Sequence, residues 1–147
     1  MATNERFMPV LPEAVWEALA DAGGYGYWVV GSNEIRDADP TWPEPGSRFY
    51  HTVGVGPLRV RDHTVALEAR RPTLLRLCAR ARPLGTAHVT LTMTPQDDGT
   101  RVRMVENLVG PTSLLVLNPL LQPLTRARNA ESLMRLEELA LRRAGVA

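Results

Sequence analysis

The chain contains no lysine. All of its basic side chains are arginine, 17 against 16 carboxylates, which leaves a formal net charge of +1 over 147 residues. A balance this close to zero excludes a generic polyanion binder held by bulk charge, while leaving room for a local basic patch. The missing lysine reads as genome or thermal bias, because the two residue types differ in chemistry but not in bulk charge. A single cysteine excludes an internal disulfide framework and any cysteine-based zinc cluster. No apolar run is long enough to span a membrane, and no basic segment followed by an apolar one opens the chain. The expectation is a soluble, cytoplasmic protein without stable membrane insertion. Internal repeats, low-complexity tracts and linkers are also missing. The length suits one domain, residues 1–147, large enough to bury a core without disulfides or a structural metal.

Periodicity and turn chemistry set the order of elements. Residues 3–10 suit a strand. Pro12 and Glu13 then favour a helix start, and Val15, Trp16 and Leu19 give that helix an apolar face. Gly23, Gly24 and Gly26 break it. An aromatic cluster follows (Tyr25, Tyr27 and Trp28, with Val29 and Val30), fit for a second short helix. From Asn33 the period becomes two. Six strands are predicted, over residues 33–37, 47–54, 58–70, 73–82, 86–94 and 100–109. The gaps between them carry Gly and Pro, and the short ones imply antiparallel neighbours in a meander. The tail predicts a long helix to about Ala144, starting at Asn118-Pro119 or a turn later at Pro123.

Centring each hairpin on its turn gives a register. It pairs Phe49 with Asp62, His51 with Val60, Thr64 with Ala79, Ala66 with Leu77, Ala79 with Val89, Leu77 with Leu91, Val89 with Glu106 and Leu91 with Met104. Side chains alternate faces, so all of these share one face. Leu75, Leu77, Val89, Leu91, Met93, Val102, Met104 and Leu108 make that face the inner one. Arg48, Arg61, His63, Arg76, Arg80, His88, Arg101 and Arg103 fall on the opposite, wet face. The inner face has bulky side chains at one end and small ones, Thr64, Ala79, Ala81 and Ala87, at the other. Small residues facing a helix leave a gap unless something fills it, which predicts a pocket. His51, Asp62 and Glu106 sit at the same end and need partners, water or a ligand. The apolar stripe of the long helix, Leu133, Leu136 and Ala140, continues at helical spacing to Asn129 and Arg126. An inward Arg126 above Glu106 is therefore an expected ion pair at the pocket.

The order strand, two short helices, six strands, long helix resembles the START-like or SRPBCC superfamily, the polyketide cyclase/dehydratase-like helix-grip proteins. The resemblance covers nearly the whole chain. It rests on Leu11 to Leu19, on Gly46-Ser47-Arg48-Phe49 opening a strand, on Gly99-Thr100-Arg101-Val102, on Glu106 to Pro111, and on Arg128-Asn129-Ala130-Glu131-Ser132-Leu133. It implies an α+β fold in which a curved antiparallel seven-stranded sheet wraps around the C-terminal helix and encloses an apolar cavity. It also implies binding of a lipid, polyketide, isoprenoid or other hydrophobic small molecule, in some members with cyclase activity. Fold alone does not choose among these.

Each candidate side chain carries alternatives. Glu106 and Arg126 could orient a ligand carbonyl, do acid–base work, or simply close the barrel end as an ion pair. His51 with Asp62 could be a base and its orienting carboxylate, or two polar residues at a wet mouth. Trp28, Trp42, Tyr25, Tyr27 and Phe49 could stack on a ring or only pack. His51 points inward and His63 and His88 outward, which argues against a metal site. Cys78 points outward beside Arg76 and Arg80 with no base near it, and neither Ser113 nor Ser132 sits in a nucleophile elbow. The turn at Gly54 to Gly56 precedes no helix, so it is no phosphate loop.

The expected ligand-binding set is thus Trp28, Phe49, His51, Asp62, Thr64, Ala79, Val89, Leu91, Met104, Glu106, Arg126 and Asn129. No metal or cofactor is expected. Three functions stand as alternatives. The first is a hydrophobic-ligand binder with a cavity of at least roughly 300 Å³. The second is a cyclase or dehydratase using His51 or Glu106 as base and Arg126 as oxyanion partner. The third is a protein-interaction module using the arginine-rich outer face, which lacks the interleaved aromatics of a nucleic-acid binder and suits a homodimer.

Overall fold

A computed structural model describes residues 1–55, 57–81, 85–109 and 121–145. The expectations that rest on Arg82, on the Pro83-Leu84 turn, and on Pro111, Ser113 and Asn118-Pro119 lie outside the described residues. The elements in chain order are β1 (Ala2–Met8), α1 (Pro12–Ala20), a short 3₁₀ turn (Ala22–Gly24), α2 (Tyr25–Trp28), β2 (Ser32–Ala38), β3 (Arg48–Val55), β4 (Leu58–Arg70), β5 (Leu74–Ala81), β6 (Gly85–Gln96), β7 (Gly99–Leu108) and α3 (Leu121–Arg143). The seven strands form one antiparallel sheet in the order β1-β7-β6-β5-β4-β3-β2. The meander runs from β2 to β7, and β1 closes the far edge against β7. The fold is α+β and of the helix-grip kind.

Local chemistry explains the helix positions. Pro12 starts α1 where its missing N–H costs nothing, Glu13 adds a carboxylate to the first turn, and Val15, Trp16, Ala18 and Leu19 are buried. In α3, Leu133, Leu136 and Ala140 are buried on the stripe that faces the sheet. Each such leucine contributes about 1.5–3 kcal/mol of burial. Together with α1 they cover Leu75, Leu91, Met93 and Val102, the bulky end of the inner face. On the β1 side α3 is held by polar contacts. The Arg6 guanidinium donates to Glu137 at 2.9 Å, and the Asn4 amide donates to the Arg126 carbonyl at 3.0 Å.

The faces are those expected, but two registers differ. Phe49 lies opposite Thr64 and His51 opposite Asp62, because β3 and β4 remain paired as far as Val55 and Leu58 and the turn is centred one position later. Leu77 lies opposite Val89 and Ala79 opposite Ala87, because the β5–β6 turn is centred one position earlier. Moving a turn centre by one residue slides the pairing by two, and a slip of two keeps every side chain on its own face. The other pairs, Thr64 with Ala79, Ala66 with Leu77, Val89 with Glu106 and Leu91 with Met104, match. Leu67 follows inward Ala66 and is 39% exposed, and a bulge between Ala66 and Glu68 carries Glu68 to the outer face opposite Arg76.

Gly99 opens β7 where the end of β1 lies against it. A Cβ there would sit 2.4 Å from the Met8 carbonyl oxygen and 2.6 Å from the Phe7 ring. Backbone cannot yield as a flexible side chain does. Gly99→Ala should therefore destabilise by about 1–3 kcal/mol in urea unfolding. A loss within experimental error would show that the end of β1 does not pack against Gly99.

Candidate functional site

The small end of the inner face is hollow. A cavity of about 390 Å³ lies between the sheet and the N-terminal half of α3. The sheet supplies Thr64 from β4, Ala79 and Ala81 from β5, and Ala87 from β6. Phe49, His51 and Val53 border it on the β3 side, and Met104, Glu106 and Leu108 on the β7 side. The helices supply Tyr25 and Trp28 from α2, and Arg128, Asn129 and Ser132 from α3. The walls are mostly carbon, with a few nitrogen and oxygen atoms set among them.

Three rings of the wall belong to one aromatic cluster. Tyr25 lies 4.9 Å from Trp28 and 4.6 Å from Phe49 between ring centres. Trp42 backs this group edge-on, 4.8 Å from Phe49. The Tyr25 hydroxyl and the Trp42 indole both donate to the Leu19 carbonyl, at 2.8 and 3.1 Å. Burial raises the Tyr25 phenol far above its ordinary range, so it stays protonated. Tyr27 stands outside the cavity, 43% exposed, donating to Glu138 with Arg135 over its ring.

The ion pair at the mouth uses a different arginine from the one expected. Arg128, not Arg126, donates from one guanidinium nitrogen to both Glu106 carboxylate oxygens at 2.6 Å. The Arg126 side chain is exposed. Arg126 and Glu137 are eleven residues apart, about three full turns of helix, so both lie on the flank that faces β1. The opposite flank carries Arg128, whose long side chain reaches back over the opening. Arg128 also donates to the Asn129 side-chain oxygen at 3.3–3.4 Å. Glu106 is the buried partner, its side chain 10% exposed against 42% for Arg128.

Of the other expected residues, Trp28, Phe49, His51, Thr64, Ala79, Val89, Met104, Glu106 and Asn129 border the cavity. Leu91 and Asp62 do not. Leu91 is in the solid core, because the register slip sets it opposite Leu75 rather than Leu77. Asp62 faces His51 across the strands but accepts from the His63 backbone N–H at 2.9 Å and lies 3.4 Å from the His63 ring. Cys78, on the outer parity, is nevertheless buried, between Val65 and His88 on the adjacent strands. Outside the expected set, Ser32, Leu77, Ala81, Ala87, Leu108, Arg128 and Ser132 also border the cavity, and so does Arg80, which alternation alone puts on the wet face. The small-residue signal already marked Ala81 and Ala87. Ser132 lies one turn before Leu136 on the inward stripe, and it accepts from the Val30 backbone N–H at 3.1 Å.

Several polar atoms in this wall lack a partner among the described residues: the Trp28 indole nitrogen, the Ser32 hydroxyl, His51 Nδ1, and the Asn129 amide nitrogen. Trp28 and Asn129 are each 1% exposed and His51 4%. Burial without a partner is costly for such groups. Among the described residues no group of three or more His, Cys, Asp or Glu could hold a metal ion. None of the described helices is long and apolar enough to cross a membrane.

Sheet, gripping helix and the largely apolar cavity open at one end together define a helix-grip protein with a ligand-sized interior. The chain belongs to the polyketide cyclase/dehydrase and lipid transport family, whose pattern matches residues 2–140. Solved structures share the fold. A Thermus thermophilus protein is 21% identical, with 96% of this chain and 97% of that one covered and a TM-score of 0.67. A Staphylococcus aureus protein of unknown function is 10% identical, covering 98% and 94%, with a TM-score of 0.75. The di-domain ARO/CYC StfQ from the steffimycin biosynthetic pathway is 13% identical, with a TM-score of 0.74. The alignment covers 98% of this chain and 51% of StfQ. No curated protein matches by sequence.

Burial lowers the His51 pKa below its ordinary 6.5, and the opposing pull of Asp62 is smaller. The unfolded chain therefore takes up a proton before the folded one does. The His51 contribution to stability is complete above about pH 6.5 and is lost as pH falls toward the lower folded value. NMR titration should give a His51 midpoint below 6.5. Between about pH 7.5 and pH 5.5 the wild type should lose more urea stability than His51→Gln. A normal midpoint would contradict the burial described.

Proposed function

We propose that the protein binds a hydrophobic small molecule (a lipid, polyketide, isoprenoid or aromatic compound) in the cavity between sheet and α3, and does so in the cytoplasm. The observation that carries this reading is the cavity itself. About 390 Å³ of space is bounded by Thr64, Ala79, Ala81 and Ala87, where a well-packed core would hold leucines. Family membership supports it. No cofactor enters this reading.

A second reading, a cyclase or dehydratase, is favoured by one specific feature: His51 Nδ1 lies in the wall without a partner among the described residues. A neutral imidazole there is able to accept a proton from a bound substrate. Glu106 serves this reading less well, since Arg128 holds both of its oxygens.

Native mass spectrometry of freshly purified protein should reveal a co-purified small molecule. Ala79→Phe places a ring in the cavity and should abolish that adduct while leaving the circular dichroism unchanged. An adduct that survives the substitution places the ligand elsewhere. For the enzymatic reading the measurement is turnover of the identified molecule. It fails if His51→Ala turns over as fast as wild type.

A further inference from the structure

The cavity wall specifies more than greasiness, and the selectivity argued from it rests on the hydrophobic-ligand binding proposed for the same cavity. Two kinds stand out among its charged and polar groups. Glu106 and Arg128 neutralise each other, with one guanidinium nitrogen 2.6 Å from both carboxylate oxygens. Glu106 thus occupies the place on Arg128 that a ligand carboxylate would otherwise take. Arg80 and the His51 imidazole also border the cavity, and beside them two uncharged N–H donors stand in search of an acceptor. The Trp28 indole N–H and the Asn129 amide N–H lie in the wall without partners among the described residues. The two helices that carry them, α2 and α3, pack against each other, so the donors lie on the same side of the cavity. The opposing sheet wall is carbon at Leu77, Ala79 and Val89, with His51, Thr64 and Thr86 among its polar members.

We propose that the cavity selects an uncharged apolar molecule bearing a carbonyl-type acceptor, that Trp28 and Asn129 read that acceptor, and that Glu106 excludes carboxylates by occupying Arg128. An N–H in a low-dielectric wall discriminates strongly, because a ligand without an acceptor leaves it unpaired. A carboxylate would have to shed its water and meet Glu106 near the same guanidinium, and like charges repel there. Arg80, half-buried on β5, is the second guanidinium bordering the cavity and the competing site for an anion.

Three probes of one skeleton test this: ethylnaphthalene, acetylnaphthalene and naphthoate, with affinities measured by calorimetry at neutral pH. Ethylnaphthalene tests the binding reading alone. If none of the three binds, that reading fails and this one with it. If ethylnaphthalene binds, the differences decide. Wild type should bind acetylnaphthalene about tenfold more tightly than ethylnaphthalene, and more tightly than naphthoate. Asn129→Leu and Trp28→Phe should each erase most of the ketone's advantage and leave ethylnaphthalene unchanged. Either variant suffices if the other fails to fold. Glu106→Gln should raise naphthoate affinity about tenfold with little change for the ketone. That gain should persist with Arg80→Gln added, which assigns it to Arg128. Equal binding of ketone and hydrocarbon would mean that water satisfies the donors, and would overturn the proposal. So would naphthoate binding wild type as well as the ketone does, no gain for naphthoate in Glu106→Gln, or a gain that disappears with Arg80.

Discussion

One helix, α3, has to cover an inner sheet face whose side chains shrink from one end to the other, and its own stripe changes in the same direction. At the C-terminal end of α3, Leu133, Leu136 and Ala140 meet Leu75, Leu91 and Met93, and the interior is solid. Toward its N-terminal end the stripe becomes Ser132 and Asn129, and the sheet opposite becomes Ala79, Ala81 and Ala87. Neither surface supplies the volume that close packing requires. The solid end anchors the helix, and the contacts of Arg6 with Glu137 and of Asn4 with the Arg126 carbonyl hold it along β1. The helix therefore cannot settle onto the alanines without giving up the leucine contacts, and the space stays open.

Apart from Arg80 at its border, the titratable groups around that space are arranged for neutrality rather than for strength. Arg128 is nearly half exposed, so its pair with Glu106 is screened by solvent and is a weak source of stability. Its larger consequence is local. The carboxylate it covers is mostly buried and would be costly without it. Burial also favours neutral His51 and protonated Tyr25. Three titratable groups near one apolar space are thus paired or uncharged at neutral pH, which suits a ligand that brings little charge of its own.

The inner face of β3 to β7 was readable from sequence, and the reason is arithmetic. Turn centres were misplaced by one residue in two hairpins, but the error displaced the pairing by two and returned each side chain to its face. The small-residue end, and with it the cavity, survived the error. Finer placements did not. Leu91 moved from the expected lining into the solid core through that slip of two. Arg126 and Arg128 were misassigned because a helical stripe fixes direction only to within a flank, and the long arginine side chain reaches across what remains. Periodicity could place Arg126 above the sheet. It could not show that β1 would carry Asn4 up to the Arg126 carbonyl and leave its side chain in solvent. Asp62 was placed on the correct face and is buried there, yet its carboxylate turns to the His63 N–H, a local side-chain choice that alternation does not encode.

Shared fold with the StfQ di-domain, at 13% identity, speaks to architecture and not to chemistry. The chemistry has to come from this chain's own wall. A cyclase of the enolising kind needs a base strong enough to take a proton from carbon and a donor to hold the oxygen where charge develops. Donors are present in Trp28 and Asn129. The base is the weaker half. Arg128 occupies the Glu106 carboxylate, and the burial that keeps His51 neutral also lowers its affinity for a proton. The same environment that frees the imidazole lone pair makes it a poorer acceptor, unless the bound molecule brings negative charge to stabilise the imidazolium. The groups that hold an acceptor in place are thus better developed than those that would remove a proton, and this asymmetry is the physical reason to favour binding over enolisation.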